Sequence, residues 1–287
     1  MRTTVKRTKG GSKVISTRKV ALKDISVCAP SKRKTSKGRC LSANMYHVIK
    51  QKTGKSGKEL FTSLGCEDGA EHCLLDHAPL SDAEKQEGRT HLRPKMPKEW
   101  DKKPDTWLDN FNIKHVMEQY EVAFPWFEFL GVFPMDFSAP DPYHKDEPNR
   151  CLHPELCTLN LQKEYDSGKR GIGMVFNLDP HYKGGSHWVG LYINIQIIGA
   201  PQISYFDSYG MKTPPLIARF MRSFTLQNKN VQLNFNARRF QYSNTECGMY
   251  SLYFIICMIH GISFKEFCKE VTKDKTMLEL RKILFAR

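Results

Sequence analysis

Residues 249–259 run Met-Tyr-Ser-Leu-Tyr-Phe-Ile-Ile-Cys-Met-Ile, with no charged residue and no polar face. A stretch that is apolar all round is buried all round, and at this length it reads as a helix through a domain core. The residues that open it are Gln241-Tyr242-Ser243-Asn244-Thr245-Glu246-Cys247-Gly248. Cys247 is thereby placed in the first turn of a buried helix. The unpaired N–H groups and partial positive charge of a helix N-terminus stabilise a thiolate, so this position suits a nucleophile.

A thiolate that attacks a carbonyl needs a proton carrier and an orienting acid, and both lie upstream. His187 sits in Ser-His-Trp-Val-Gly-Leu-Tyr-Ile, which has strand character, and Asp207 ends Ile-Ser-Tyr-Phe-Asp-Ser, which reads as the next strand. His187 would accept the thiol proton and later protonate the leaving amine, while Asp207 would fix its tautomer. Asp179 is an alternative third member, closer in sequence to His187 but before the turn. Gln241 would give its side-chain N–H, beside the Cys247 backbone N–H, to the developing oxyanion. A one-residue offset would move that role to Tyr242. Each residue alone has a plain structural role: a Cys on an apolar helix packs as a small hydrophobe, and Asp before Ser forms turns. Cys257 and Cys268 are assigned to packing. The ordered set His, Asp, Gln, Cys is what points to catalysis.

That order, with Trp188 directly after His187 and Gln241 six residues before Cys247-Gly248, resembles the SUMO-specific protease family, papain-like cysteine peptidases that include the adenovirus proteinase type. Trp107-Leu108-Asp109-Asn110 resembles the Trp-Leu-Asn-Asp segment that opens their catalytic domain. Leu64-Gly65-Cys66, Cys73-Leu74-Leu75-Asp76-His77, Phe133-Pro134-Met135-Asp136-Phe137 and Thr245 to Leu252 are similar to the polyprotein-processing branch, of the African swine fever virus type. The resemblance covers roughly residues 60–287 and implies an α+β papain-like core, a central mixed sheet flanked by helices, with a small mainly helical N-terminal domain. It also implies cleavage after Gly-Gly in viral structural polyproteins during virion maturation, with Trp188 roofing a tunnel that passes only glycines. By the same resemblance Asn177 is a candidate to hold substrate backbone, although an Asn at a strand end also makes turns. No cofactor is implied, DNA as an activator apart. The implied location is the viral factory in the host cytoplasm, and the virion.

The charge is segregated. Residues 1–40 hold 13 Lys or Arg against one acid, Asp24, which makes +12 of the total +14. Such a segment buries too little apolar surface to offset its ordering entropy, so it reads as a disordered arm. It would attract polyanions, nucleic acid first, through counterion release, or serve as a solubilising or nuclear-localising tail. The sequence predicts no secretory leader and no membrane span, since its longest apolar stretch falls short of the roughly 20 residues a bilayer needs. Nine cysteines, an odd number, in such a chain predict free thiols in a reducing compartment. Cys66-x6-Cys73-x3-His77 and Cys151-x-His153-x3-Cys157 do not match common zinc spacings, so no metal is expected and both clusters read as buried thiols.

Three parts follow: the arm 1–40, a small helical domain 41–97, and a catalytic domain 98–287, with Pro94, Pro97 and Pro104 marking a linker. In the catalytic domain the patterns predict helices over 116–124, ended by Pro125, and 214–225, capped by Thr213, and strands over 173–178, 188–198 and 202–207. Ser263 with Glu266, and Thr276 with Glu279, fit capping boxes for two last helices. Gly184-Gly185 reads as turn geometry before His187, and Gly10-Gly11-Ser12 as a candidate self-processing site. Rivals to the polyprotein protease are a host-directed deSUMOylase or deubiquitinase, an acetyltransferase on the same triad, and a nucleic-acid-binding protein with a vestigial protease core.

Overall fold

A computed structural model of the chain describes residues 19–32, 34, 38–147 and 149–286. The candidate site at Gly10-Gly11 lies outside them. Four short helices come first, α1 (Ala43–Thr53), α2 (Gly57–Ser63), α3 (Glu71–His77) and α4 (Asp82–Arg89). Next are α5 (Asn110–Ala123), β1 (Phe127–Pro134), α6 (Pro154–Cys157), α7 (Leu161–Asp166), β2 (Gly171–Asn177), β3 (Trp188–Asn194) and β4 (Gln202–Phe206). The chain ends with α8 (Pro215–Ser223), β5 (Gln232–Phe235), α9 (Cys247–Ile259), α10 (Phe264–Lys269) and α11 (Asp274–Leu284). This is the α+β architecture expected. The five strands form one mixed sheet in the order β1-β2-β3-β4-β5, parallel at its two outer pairs and antiparallel at the two inner ones.

The sheet is covered on both faces because its central strands are apolar on both. Ile172, Met174 and Phe176 of β2 and Val189, Leu191 and Ile193 of β3 pack on one side against α7 and α8 residues such as Leu161, Ile217 and Met221. Alternate positions face α9, and two of them, Gly173 and Gly190, carry no side chain. A Cβ on Gly190 would lie 2.8 Å from the Phe254 ring, and one on Gly173 would lie 2.9 Å from the Phe127 ring and 3.2 Å from Ile255. Missing side chains thus let α9 seat close to the sheet, and every α9 residue is buried. Each large apolar side chain buried this way contributes about 1.5–3 kcal/mol. The close seating also carries the N-terminus of α9 to the ends of β3 and β4.

The small N-terminal unit has its own core of Leu41, Ile49, Leu60, Phe61, Leu74 and Leu75. Buried Glu71 organises it, accepting from the Cys40 and Leu41 amides and, at 2.7 Å, from the Tyr46 hydroxyl.

Several expectations change. Residues 19–32 and 38–40 are not a free arm. Val20 and Ile25 belong to the catalytic core cluster, Tyr253 donates its hydroxyl to Val20 O at 2.8 Å, and the Lys19 ammonium lies over the Phe240 and Phe267 rings. Burial there lowers the Lys19 pKa to about 8. The charge count hid these few apolar anchors. The proline-marked stretch is also seated, with Trp100 buried in the catalytic core and Met96 N donating to Ala286 O at 2.7 Å. Six of the nine cysteines are not thiols: Cys28–Cys40, Cys66–Cys73 and Cys151–Cys157 are disulfides, leaving Cys247, Cys257 and Cys268 free. Pairs only 12, 7 and 6 residues apart close local loops, which an odd total count does not reveal. Thr213 does not cap α8, which starts behind Pro214, and Thr276 lies inside α11, which starts at Asp274. The Ser263 cap is present, accepting from Glu266 N at 3.2 Å.

Candidate active site

Three chain segments end at one place. His187 immediately precedes β3, Asp207 immediately follows β4, and Cys247 is the first residue of α9. Because β3 and β4 are antiparallel, with Gly190 opposite Phe206, the start of one and the end of the other are adjacent. His187 Nε2 lies 2.7 Å from Asp207 Oδ1, and the imidazole also hydrogen-bonds the Cys247 side chain. With Nε2 on the carboxylate, Nδ1 is the nitrogen that serves the sulfur. Asp207 is completely buried and His187 is 9% exposed. The rival Asp179 has no part in this: its backbone amide bonds Asn177 Oδ1 and its carbonyl accepts from Met135 N.

Burial pulls the imidazole pKa down, but hydrogen bonds to Asp207 and Cys247 and their negative charge outweigh it, leaving His187 raised from 6.5 to about 9. The ring is therefore charged at neutral pH. Tyr209 stacks on it at 4.7 Å between centroids.

Gln241 is fully buried on the loop leading to Cys247. The Ser208 hydroxyl donates to its Oε1 at 2.6 Å, and its Nε2 donates one hydrogen to Ser243 O at 2.9 Å, leaving one N–H. The loop is gripped from behind by α11. Asp274 Oδ2 accepts from the Tyr242 and Ser243 amides at 3.0 and 2.9 Å, and Oδ1 accepts from the Tyr250 hydroxyl. Seven residues on, buried Arg281 pairs with Glu246 at 2.9 Å and donates to Thr106 O at 2.7 Å. On the other side Asn236 brackets Asp207, accepting from its amide at 2.8 Å and donating to its carbonyl at 2.6 Å. Ser208, Tyr209, Asn236, Asp274 and Arg281 all escaped the sequence reading. Ser208 and Tyr209 directly follow Asp207 and could have been flagged by that adjacency; the others act across 29 to 35 residues and leave no local signal.

A cleft of about 520 Å³ runs up to His187, lined by Trp107, Phe133, Tyr143, Asn177 and Trp188 among others. Trp188 Nε1 donates to Leu108 O at 2.8 Å, and Leu108 packs on Gly248, where a Cβ would approach it to 3.1 Å. The segment around Trp107 is thus clamped beside the helix that carries Cys247. Asn177 lines the cleft, yet its Oδ1 accepts from the Asp179 and Ser186 amides at 2.9 and 3.2 Å. Its observed work is to shape the loop that presents His187. Gly185, with φ +92°, is required there, since its Cβ would fall 2.3 Å from Asn177 Nδ2. A larger cavity of about 670 Å³ between the small unit and α11 holds neither His187 nor Cys247, and the chemistry assigns the site to the smaller cleft. The ligand atoms of Cys66, Cys73 and His77 lie within 4.8 Å of one another, but the two sulfurs are bonded together, as are Cys151 and Cys157.

A buried carboxylate, an imidazolium and a cysteine at a helix N-terminus, on an α+β sheet, define a papain-like cysteine peptidase site. Residues 172–286 match the Ulp1 protease family, C-terminal catalytic domain, and in this part the chain is similar to SUMO-protease-like cysteine peptidases. It is 25% identical over 272 residues to a cysteine protease of African swine fever virus, covering 88% of this chain and 92% of that one. A protein of Acanthamoeba polyphaga mimivirus named as a thiol protease is 28% identical over 188 residues, 64% of this chain; the chain spans only 58% of that relative's length. The crystal structure of the African swine fever virus protease has the same fold, with a TM-score of 0.68 at 24% identity over 95% of this chain and 97% of that one.

Proposed function

We propose that the chain is a cysteine endopeptidase that cuts after Gly-Gly in viral structural polyproteins during virion maturation. The observation that carries this is the bridging of Asp207 and Cys247 by a His187 ring held charged at neutral pH, at the end of a cleft bounded by Trp107 and Trp188. The Cys247 thiolate attacks the scissile carbonyl carbon, and the oxyanion is met by the Cys247 backbone N–H and the remaining Gln241 N–H. As the C–N bond breaks, His187 gives its proton to the leaving amine, and a thioester joins the acyl half to Cys247. His187 then takes a proton from water, whose oxygen attacks the thioester carbonyl and releases the carboxylic acid and the Cys247 thiolate, which restores the starting ion pair with protonated His187. No metal or organic cofactor enters these steps.

The division into a basic arm 1–40, a helical domain 41–97 and a catalytic domain 98–287 is kept as a proposal, with Val20, Ile25, Cys28 and Cys40 of the arm seated in the folded protein. We place nucleic acid on that arm as partner or activator, and the enzyme in viral factories and virions. The test is cleavage of Gly-Gly-Xaa peptides beside Leu-Gly-Xaa and Ala-Ala-Xaa controls and SUMO and ubiquitin fusions, by wild type and Cys247→Ala. Cys247-dependent cutting confined to Gly-Gly peptides supports the proposal. Preference for the fusions redirects it to a host-directed enzyme, one African swine fever virus relative being named a SUMO-1 cysteine protease, and no cutting overturns it.

A further inference from the structure

We infer that Arg239 forms a binding site for an acidic residue on the leaving side of the scissile bond, an inference that rests on the peptidase proposal. A substrate acylating Cys247 enters along the cleft bounded by Trp107, Asn177 and Trp188. Its leaving half must continue across His187 and away from that cleft. The surface it meets there is not part of the cleft lining. Tyr209 stacks on His187, and Arg239 lies over both Tyr209 and Tyr242, its guanidinium carbon 5.3 and 4.8 Å from the two ring centroids.

Arg239 is held in place as well as near. Its Nε donates to Gln241 O at 2.7 Å, which together with the two rings fixes the plane of an otherwise exposed side chain. Its two terminal nitrogens have no carboxylate partner among the described residues, because the acids around the loop are all engaged. Asp207 bonds His187, Glu246 bonds Arg281, and both oxygens of Asp274 accept from Tyr242, Ser243 and Tyr250. A pre-oriented guanidinium with two free donors facing solvent is the geometry that takes a carboxylate in a two-pronged hydrogen bond, stronger than a neutral contact and lost when lysine stands opposite. The neighbouring Arg238 adds charge of the same sign, although its Nη1 is tied to Lys269 O.

The experiment uses matched peptides with Asp, Ala or Lys at the first and second positions after Gly-Gly, and reads the ratio of kcat/KM for Asp over Lys within each protein, so that any general loss of activity cancels. Wild type should favour Asp about tenfold or more, corresponding to one charge-assisted pair. Arg239→Lys should keep part of the bias, Arg239→Gln should bring the ratio near one, and Arg239→Glu should invert it. In parallel, binding of the same peptides to Cys247→Ala protein, measured by fluorescence anisotropy, should show the same Asp over Lys order and the same dependence on Arg239. An unchanged ratio in Arg239→Glu overturns the inference while leaving the peptidase proposal intact. Should no peptide be cut at all, the peptidase proposal fails, and the binding series alone then upholds or overturns the acidic site.

Discussion

The small N-terminal unit and the catalytic core solve the same problem with opposite uses of cysteine. The N-terminal unit, with four short helices and a modest cluster around Leu41, Leu60 and Leu74, carries two disulfides, Cys28–Cys40 and Cys66–Cys73. The core on the helix side of the sheet is bridged by none: Cys247 and Cys257 stay thiols inside a cluster dominated by Phe206, Phe240, Phe254 and Phe267. Where apolar burial is limited, restricting the unfolded chain supplements it; where burial is ample, a cysteine can be left for chemistry.

The sharpest test of that contrast is to remove each kind of cysteine. Cys247→Ala should lower turnover by about 10⁴-fold or more, since the other residues of the set act only through the nucleophile, while thermal stability changes little. Asp207→Asn should come next, with a loss of about 10²-fold to 10⁴-fold. It should also move the alkaline limb of the pH–rate profile. In the wild type this limb should fall near pH 9, where His187 gives up its proton; without the Asp207 charge one of the two partners that offset burial is lost, and the limb moves to lower pH. The same sign governs stability. A histidine raised from 6.5 to about 9 contributes stability that is full below pH 6.5 and lost as the pH rises through 9, and unfolding measured from pH 6 to 10 should show that loss shrink in Asp207→Asn. Gln241→Ala should cost about 10²-fold in kcat with a smaller effect on KM.

Much of this site could be read before any coordinates. Cys247, His187 and Asp207 were legible because each lies at the end of a segment whose pattern announces it: an apolar run, and two strands of β-branched and aromatic residues. β1 and β5 were not, since Phe127–Pro134 is broken by Gly131 and Gln232–Phe235 is a short, half-exposed edge. The props of the site were hidden for a different reason. Asp274 and Arg281 look like ordinary surface charges on an amphipathic helix, and only the fold brings them to the Gln241–Glu246 loop. The disulfides are invisible to a cysteine count over the whole chain, because each closes a short local loop.

At the small end of the scale, Cys28→Ser with Cys40→Ser should reverse the Cys247→Ala result. It should destabilise the small unit by about 3 kcal/mol, as expected for a loop of this length, and leave the kcat of the folded protein within about twofold. A loss of kcat to match would show that the small unit holds the site and is more than a neighbour to it.

The central claim is that His187 and Asp207 activate Cys247 and no other thiol. The most direct measurement is intact mass and peptide mapping after brief exposure to a Gly-Gly peptide ending in a thiol-reactive electrophile. The account expects a single adduct on Cys247, none on Cys257 or Cys268, and slow labelling in His187→Ala. Labelling that ignores His187, or that falls on another cysteine, would contradict it.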